Sequence, residues 1–323
     1  MSEPNKDLYG LPLLADGYNG MPYAYVGRSG LRVSRVGLGT WKFGYPETGD
    51  GSRVDEQASF RLFDRALELG VTFWDTANRY NNSAGNSERV IGKWLAANPG
   101  ERRNIVLATK LYGLMDGRTP NHCGLSRLAI KESLYACLER LQTDSVDLLY
   151  FHFFDPAVPI EESLEAVAEL IGEDLVRYLG VSNFTRENLL AYRCLEEQGF
   201  PRVVAVQNRY NVVEGERPSE PGVLENCAGS RIGFVPWSPL AGGLLTERYL
   251  DPQRVGKGDR LVDEKQLEGR ASEANLVKVR ALAALARQWG CGLAELSLAY
   301  TLALPGVAAV IPSASRREQL EAN

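Results

Sequence analysis

Asp75, Lys110 and His152 each close an otherwise apolar, β-rich run of residues. The runs are Val71 to Asp75, Asn104 to Lys110 and Ser145 to His152. One charge at a strand end can simply face solvent. Three of them on three neighbouring strands point to a shared polar centre. A buried Lys–Asp pair is costly as a stability device and is often retained for a role. Tyr80 lies just beyond Asp75, with Asn78 and Arg79 beside it.

A phenol ordinarily titrates near about 10 and is a poor acid at neutral pH. A neighbouring cation lowers that value. Lys110 beside Tyr80 is expected to do so, with Asp75 holding Lys110 charged and oriented. His152 could donate to the same substrate oxygen. Such an assembly protonates an alkoxide as it forms, or removes a proton from an alcohol. No side chain supplies the matching electrophile or hydride, so a bound cofactor must do so. A hydrolytic site would want a second carboxylate at a neighbouring strand end, and none falls there.

The elements that must position these groups alternate along the chain. Five further runs read as strands: one near Arg35 to Thr40, then Val176 to Ser182, Arg202 to Gln207, Ile232 to Trp237 and Ala308 to Pro312. Helical periodicity lies between most of the eight. In Ser126 to Leu141 the apolar residues Ile130, Leu134, Cys137, Leu138 and Leu141 share one face. Similar helices are expected over 56–69, 87–97, 161–172, 186–198 and 275–289. Eight βα units without a composition break predict a single (β/α)8 TIM barrel over residues 23–323. An open doubly wound sheet would want a Gly-rich turn after its first strand, and Gly37-Leu-Gly-Thr40 has no GxGxxG. Residues 1–22 form an N-terminal extension. Tyr25 to Leu31 followed by Val33 to Val36 reads as a β-hairpin plugging the barrel's N-terminal end. Asp251 to Arg270 carries ten charged residues among twenty and follows strand seven. It is either a solvated linker or a loop that folds over a ligand.

Composition narrows the class. In 323 residues, 36 Lys and Arg face 41 Asp and Glu, a net charge of -5. No basic run suggests nucleic acid. No apolar stretch approaches the roughly 18 residues of a membrane helix, and Met1 to Gly20 shows no signal-peptide core. The five cysteines are scattered and make no CxxC pair. They read as reduced thiols in a cytoplasm. Two histidines are too few to predict a zinc site of His and Cys, and no metal is expected.

The chain also resembles the aldo-keto reductases over about residues 23 to 323. The matching motifs are Gly37-Leu-Gly-Thr-Trp41, Phe73-Trp-Asp-Thr-Ala77 with Tyr80, Ala108-Thr-Lys110, Leu138-Glu-Arg-Leu-Gln142 leading to Val146-Asp-Leu-Leu, and His152 with Asp155-Pro156. Gly180-Val-Ser-Asn-Phe184, Val206-Gln-Asn, Trp237-Ser-Pro-Leu-Ala-Gly-Gly-Leu-Leu245 and Glu318-Gln-Leu-Glu-Ala-Asn323 complete the series. Gly124-Leu-Ser-Arg127 and Pro159-Ile-Glu-Glu162 resemble the branch of potassium-channel β subunits and bacterial glyceraldehyde 3-phosphate reductases.

The resemblance implies a catalytic tetrad of Asp75, Tyr80, Lys110 and His152, and hydride exchange between nicotinamide and an aldehyde, a ketone or the matching alcohol. It implies that Ser182, Asn183 and Gln207 hold the carboxamide and that Trp237 stacks on the nicotinamide ring. Ser238, Leu240, Gly242 and Arg248 match its pyrophosphate loop. Thr40 and Trp41 match positions near cofactor and substrate. Ser313, Ser315, Gln319 and Asn323 align with adenosine-side contacts. Ser315-Arg-Arg-Glu318 reads as a capping box opening a helix, and Arg316 and Arg317 add charge that favours NADP over NAD. Ser313 stands where the family usually has Gly, and Ala322 where it has an acidic residue. The channel-subunit branch often lacks the histidine. Its presence here favours an enzyme over the alternative, a cofactor-bound sensor or regulatory subunit. The resemblance leaves the oligomeric state open.

Overall fold

Side-chain alternation along a strand puts successive residues on opposite faces, and here that rule sorts chemistry from core. The computed structural model describes residues 17–323 apart from Ala84 and Asp116. Most of the expected N-terminal extension, residues 1–16, therefore lies outside the described residues. The chain begins with an antiparallel sheet of β1 (Gly17–Tyr18), β2 (Met21–Tyr25) and β3 (Arg32–Ser34). Then come the parallel strands β4 (Leu38–Gly39), β5 (Phe73–Asp75), β6 (Val106–Leu111), β7 (Val146–Phe151), β8 (Val176–Ser182) and β9 (Val203–Gln207). A small antiparallel pair, β10 (Tyr210–Asn211) and β11 (Gly215–Glu216), precedes the last parallel strand, β12 (Gly233–Phe234).

The seven parallel strands stand in the order β12-β9-β8-β7-β6-β5-β4. The extended segment 306–312 bonds to both edges of this sheet. Phe234 N donates to Gly306 O at 2.8 Å and Ala308 N to Phe234 O at 2.9 Å. On the other side Val310 N donates to Arg35 O at 2.9 Å and Gly37 N to Val310 O at 2.8 Å. The sheet is thus curled on itself with helices outside, an α/β architecture consistent with a (β/α)8 barrel. The segment expected as the eighth strand, Ala308 to Pro312, pairs through isolated bridges at Val307 and Val310 instead of a continuous ladder.

Inside the curl, Phe73, Ala108, Leu148, Tyr150, Ala205 and Val235 form one buried cluster. Val26 and Val33, flanking the β2–β3 connection, belong to it. Gly27 lies against Val204 and Gly233, at the starts of β9 and β12. The intervening residues Trp74, Leu107, Leu149 and Phe151 join the outer cluster under the helices. There Phe63 stacks on Trp74 at 4.6 Å between ring centroids, and Trp94 packs on Trp74 at 5.0 Å. Such aromatic pairs add about 0.5–1.5 kcal/mol each beyond their buried area.

The helices begin where side chains satisfy free backbone donors. Asp55 accepts from Ala58 N ahead of Glu56–Glu68, and Ser126 from Ala129 N ahead of Arg127–Leu141. Asn86–Ala97, Ile160–Gly172, Arg186–Glu196 and Glu273–Trp289 lie within two residues of their expected bounds. Val223–Ser230 and Leu293–Ala303 were not expected as helices. The first is only eight residues long. The second is largely apolar all round, so no single stripe marks it. No described helix is long and apolar enough to cross a membrane.

Candidate active site

A cleft of about 990 Å³ opens at the C-terminal ends of the parallel strands. Asp75 ends β5, Lys110 is the penultimate residue of β6, and His152 follows β7 directly. Alternation aims all three to the inside, one step above Phe73, Ala108 and Tyr150. Lys110 and Asp75 are each 1% exposed. Lys110 Nζ donates to Asp75 Oδ1 at 2.6 Å, to Thr76 O at 2.8 Å and to Tyr80 Oη at 2.8 Å. All three ammonium hydrogens are therefore used. Asp75 Oδ2 accepts from Gln207 Nε2 at 2.7 Å, and Tyr80 Oη lies 3.5 Å from Asp75 Oδ1, to which it donates.

The electrostatics correct one expectation. Lys110 was expected to lower the Tyr80 phenol. Its pKa instead lies well above 10, because burial and then the Asp75 carboxylate disfavour a phenolate. The hydrogen bond to Asp75 also requires the protonated form. Burial lowers Lys110, although Asp75 pulls it back up. His152 is pushed well below 6.5 by burial, then by the Lys110 and Arg79 cations. The resting site thus holds a protonated phenol and a neutral imidazole. Tyr80 and His152 face each other with ring centroids 6.2 Å apart.

A second ring of contacts extends toward β8, β9 and β12. Ser182 Oγ donates to Gln207 O at 2.7 Å. Asn183 Nδ2 donates to His152 O and to Ser182 Oγ, each at 3.0 Å, and Trp237 Nε1 donates to Asn183 Oδ1 at 3.2 Å. The side-chain donors of Ser182 and Asn183 are engaged with protein, and one amide hydrogen of Gln207 goes to Asp75. All three residues line the cleft.

Most of the other expected residues line the same cleft: Trp41, Ser238, Leu240, Gly242, Arg248, Ser313, Ser315, Gln319 and Asn323. Thr40 does not. It is fully buried, and its hydroxyl donates to Asp75 O at 2.9 Å, behind the carboxylate. Ser87 bonds to Thr40 Oγ1 at 2.7 Å and to Thr76 Oγ1 at 2.9 Å. Next to it, Glu88 Oε1 accepts from Thr109 Oγ1 at 2.5 Å and Glu88 Oε2 from Arg140 Nε at 2.7 Å. The start of helix Asn86–Ala97 therefore braces the ends of three strands, two of which carry Asp75 and Lys110. Gly92 allows this approach, since a Cβ there would sit 2.1 Å from Arg140 O.

The capping box expected from Ser315 and Glu318 is not formed. The helix Arg317–Ala322 starts one residue later, with Arg316 as its N-cap. Gln319 Oε1 instead accepts from Ser315 N at 2.8 Å and from Ser315 Oγ at 2.9 Å. Of the phenylalanines around His152, Phe153 lines the cleft, Phe151 faces the helices, and Phe154 packs on Phe184.

Several cleft residues escaped the sequence reading. Lys42 and Arg53 reach across the mouth to the 251–270 segment, pairing with Glu264 at 2.8 Å and Asp263 at 3.0 Å. Lys42 and Arg260 also lie over the Trp41 ring, at 4.7 and 4.6 Å from its centroid. Arg248 is tied to Asp259. The charged segment is thus fastened to the cleft rim, with Gly258 and Asp259 in the wall. Only the local excess of charge signalled this. Among the described residues no group of three or more His, Cys, Asp or Glu could hold a metal.

The Asp–Lys–Tyr cluster thus stands at strand ends beside a cleft of about 990 Å³, and comparison with known proteins gives the family. The model of the "Aldo/keto reductase family" matches residues 35–323. The chain is 37% identical over 308 residues to "Uncharacterized oxidoreductase YrpG" of Bacillus subtilis (strain 168), covering 93% of this chain and 89% of that protein. It is 35% identical over 246 residues to "Aldo-keto reductase AMT2" of Alternaria alternata, covering 69% and 66%. It is 36% identical over 254 residues to "Aldo-keto reductase dtxS3" of Metarhizium robertsii, covering 70% and 66%. The chain belongs to the aldo/keto reductase family and is an NAD(P)H-dependent oxidoreductase.

Proposed function

We propose that this enzyme interconverts an aldehyde or ketone and its alcohol with NADP(H), and that Tyr80 is the general acid–base group. The observation that carries this reading is the double contact of Lys110 Nζ, 2.6 Å from Asp75 Oδ1 and 2.8 Å from Tyr80 Oη, at the inner end of the cleft.

The residues present fit the cofactor. A cleft of about 990 Å³ sits at the upper end of the 300–1,000 Å³ or so that small-molecule sites span. A simple carbonyl compound would leave most of it empty, whereas a dinucleotide would not. Ser182, Asn183 and Gln207 would accept the carboxamide N–H groups, and Trp237 would pack against the ring. Ser238, Leu240, Gly242 and Arg248 would hold the pyrophosphate. Ser313, Ser315, Gln319 and Asn323 would hold the adenosine side. Arg316 lines that end and has no carboxylate partner among the described residues, which favours a 2′-phosphate. When bound, the nicotinamide supplies a hydride to the carbonyl carbon, or accepts one from the alcohol.

The side chains then manage the proton. The Tyr80 phenol, kept protonated by burial, donates to the substrate oxygen as negative charge develops there. The phenolate that forms accepts from Lys110 Nζ, whose cation stabilises it in a site of low dielectric. Asp75 holds Lys110 in place and balances its charge. Neutral His152, facing Tyr80 from β7, orients the carbonyl without adding a second cation. The free thiols support a cytoplasmic enzyme, and the cleft supports a small-molecule substrate. The Gly124–Arg127 and Pro159–Glu162 motifs support the channel-subunit and reductase branch.

Titrating NADPH and NADH against tryptophan fluorescence, then assaying a panel of carbonyls on the same sample, tests the reading. Tighter NADPH binding with turnover is the expected result. Tight binding without turnover on any carbonyl would favour a regulatory subunit. Failure to bind either nucleotide would overturn the assignment.

A further inference from the structure

Seven cations line the cleft: Lys42, Arg53, Arg79, Arg217, Arg248, Arg260 and Arg316. Five of them meet a carboxylate, Lys42 and Arg260 sharing one. Lys42 and Arg260 pair with Glu264 at 2.8 and 3.2 Å, Arg53 with Asp263 at 3.0 Å, and Arg217 with Glu220 at 3.1 Å. Arg248 pairs with Asp259. Of these seven, Arg79 and Arg316 meet no carboxylate among the described residues. They stand in different places. Arg316 is at the Ser315–Asn323 end, assigned above to the adenosine side. Arg79 directly precedes Tyr80, at the end where the reacting carbonyl must sit.

Arg79 is exposed, and its position is built. Its side chain runs along Gly113, where a Cβ would come within 2.9 Å of Arg79 Cδ and 3.0 Å of Nε and Nη1. Any larger residue at 113 would displace the guanidinium. Its charge is felt at His152, whose protonation it opposes. The neighbouring walls are flat and aromatic: Phe153 stacks on His152 with centroids 5.1 Å apart, and Trp41 lies 6.2 Å from Tyr80. A guanidinium with its donors free is suited to a planar carboxylate, which it can bind through two parallel hydrogen bonds.

We propose that the substrate is a carbonyl compound bearing a carboxylate on a flat apolar body, and that Arg79 receives the carboxylate while Tyr80 serves the carbonyl. This deepens the function proposed above and rests on it. It makes Arg79 a specificity residue, in contact with substrate but not with the reacting atoms.

Matched aldehydes test it. 4-Carboxybenzaldehyde and 4-methylbenzaldehyde would be assayed with NADPH on wild type, Arg79→Ala and Arg79→Lys. The wild type should favour the acid. In Arg79→Ala the ratio of kcat/KM for acid over neutral aldehyde should fall about 10- to 100-fold, chiefly through KM, as expected for a lost charge-assisted hydrogen bond. Arg79→Lys should recover part of it. No preference for the acid in wild type, or an unchanged ratio in Arg79→Ala, would overturn the proposal. A wild type that reduces neither aldehyde would instead count against the oxidoreductase mechanism. Equilibrium binding of 4-methylbenzoate against 4-methylbenzamide then reads Arg79 independently. Benzoate binding that does not weaken in Arg79→Ala would overturn the proposal by that route too.

Discussion

At the inner end of the cleft, Asp75 and Lys110 are each 1% exposed, and every hydrogen of the ammonium has a protein acceptor. At the outer end, Arg316, Arg317 and Ser315 are exposed, and the contacts are surface pairs such as Arg317–Glu321 at 2.8 Å. The inner end is carried by consecutive strands whose register fixes every side chain. The outer end is carried by a six-residue helix and by the 251–270 segment, fastened through ion pairs. The same kinds of residue therefore do different work. Buried charges in a bonded network are expensive to disturb. Exposed pairs are worth about 0–1 kcal/mol and are screened by salt. Chemistry needs the first kind of construction, and a ligand that must enter and leave needs the second.

Substitutions at the two ends should separate accordingly. The largest effect is expected from Tyr80→Phe, which removes the transferable proton and keeps the ring. Turnover should fall by about 10²–10⁴-fold, while NADPH still quenches tryptophan fluorescence. Turnover near that of wild type would remove Tyr80 from the mechanism.

Lys110→Met comes next, read as stability. It leaves the buried Asp75 carboxylate without its cation, which should cost about 3–5 kcal/mol in urea unfolding. Adding Asp75→Asn should restore a large part of that loss. If the double variant is as unstable as the single one, the penalty comes from packing and not from an uncompensated charge.

His152 supplies a pH test. Its folded pKa is held well below 6.5 by burial, Lys110 and Arg79, whereas the unfolded chain has an ordinary imidazole near about 6.5. Below that pH the unfolded state binds the extra proton, so stability must fall as pH falls. It is fully present above about 6.5 and declines by up to about 1.4 kcal/mol per pH unit toward the folded pKa. His152→Gln should flatten this slope just below pH 6.5. An identical slope in wild type and variant would show that other groups cause it.

At the outer end Arg316→Ala should weaken NADPH binding about tenfold, roughly 1.4 kcal/mol, and change NADH binding little. Equal loss for both nucleotides would remove the 2′-phosphate assignment. The smallest change is expected from Asp263→Asn, which releases Arg53. Cofactor dissociation should quicken by only a few fold, and the difference should shrink in high salt. A change as large as that of Tyr80→Phe would abolish the contrast between the two ends.

Much of the inner end was legible without a fold. Asp75, Lys110, Ser182 and Gln207 terminate apolar runs, and period-two alternation then puts them inside. The helices with one apolar stripe were legible for the same local reason. Leu293–Ala303 was not, because apolar residues such as Ala299 and Tyr300 also occupy its exposed positions, so no single stripe shows. Thr40 read as a cleft residue but stands behind Asp75, since motif matching says nothing about which face a residue presents. The capping box at Ser315 was misplaced because one extra extended residue, Arg316, hands the contact from Glu318 to Gln319. Lys42, Arg53 and Arg260 were silent as functional residues, for their partners lie roughly 200 positions away in sequence or depend on a fastened loop.

The amino-acid sequence by itself determined the alternating architecture and the identity of the polar residues at the strand ends. Hydrophobic period and strand termination are local properties, set by neighbours along the chain. The tertiary structure alone decided the protonation states and the pairing of charges. Burial raised the Tyr80 phenol where a nearby lysine was expected to lower it, and two of the seven cleft cations, Lys42 and Arg53, found carboxylates more than 200 positions away. Desolvation and Coulomb energy depend on distances through space and on exclusion of water, and the order of residues encodes neither until the chain has folded.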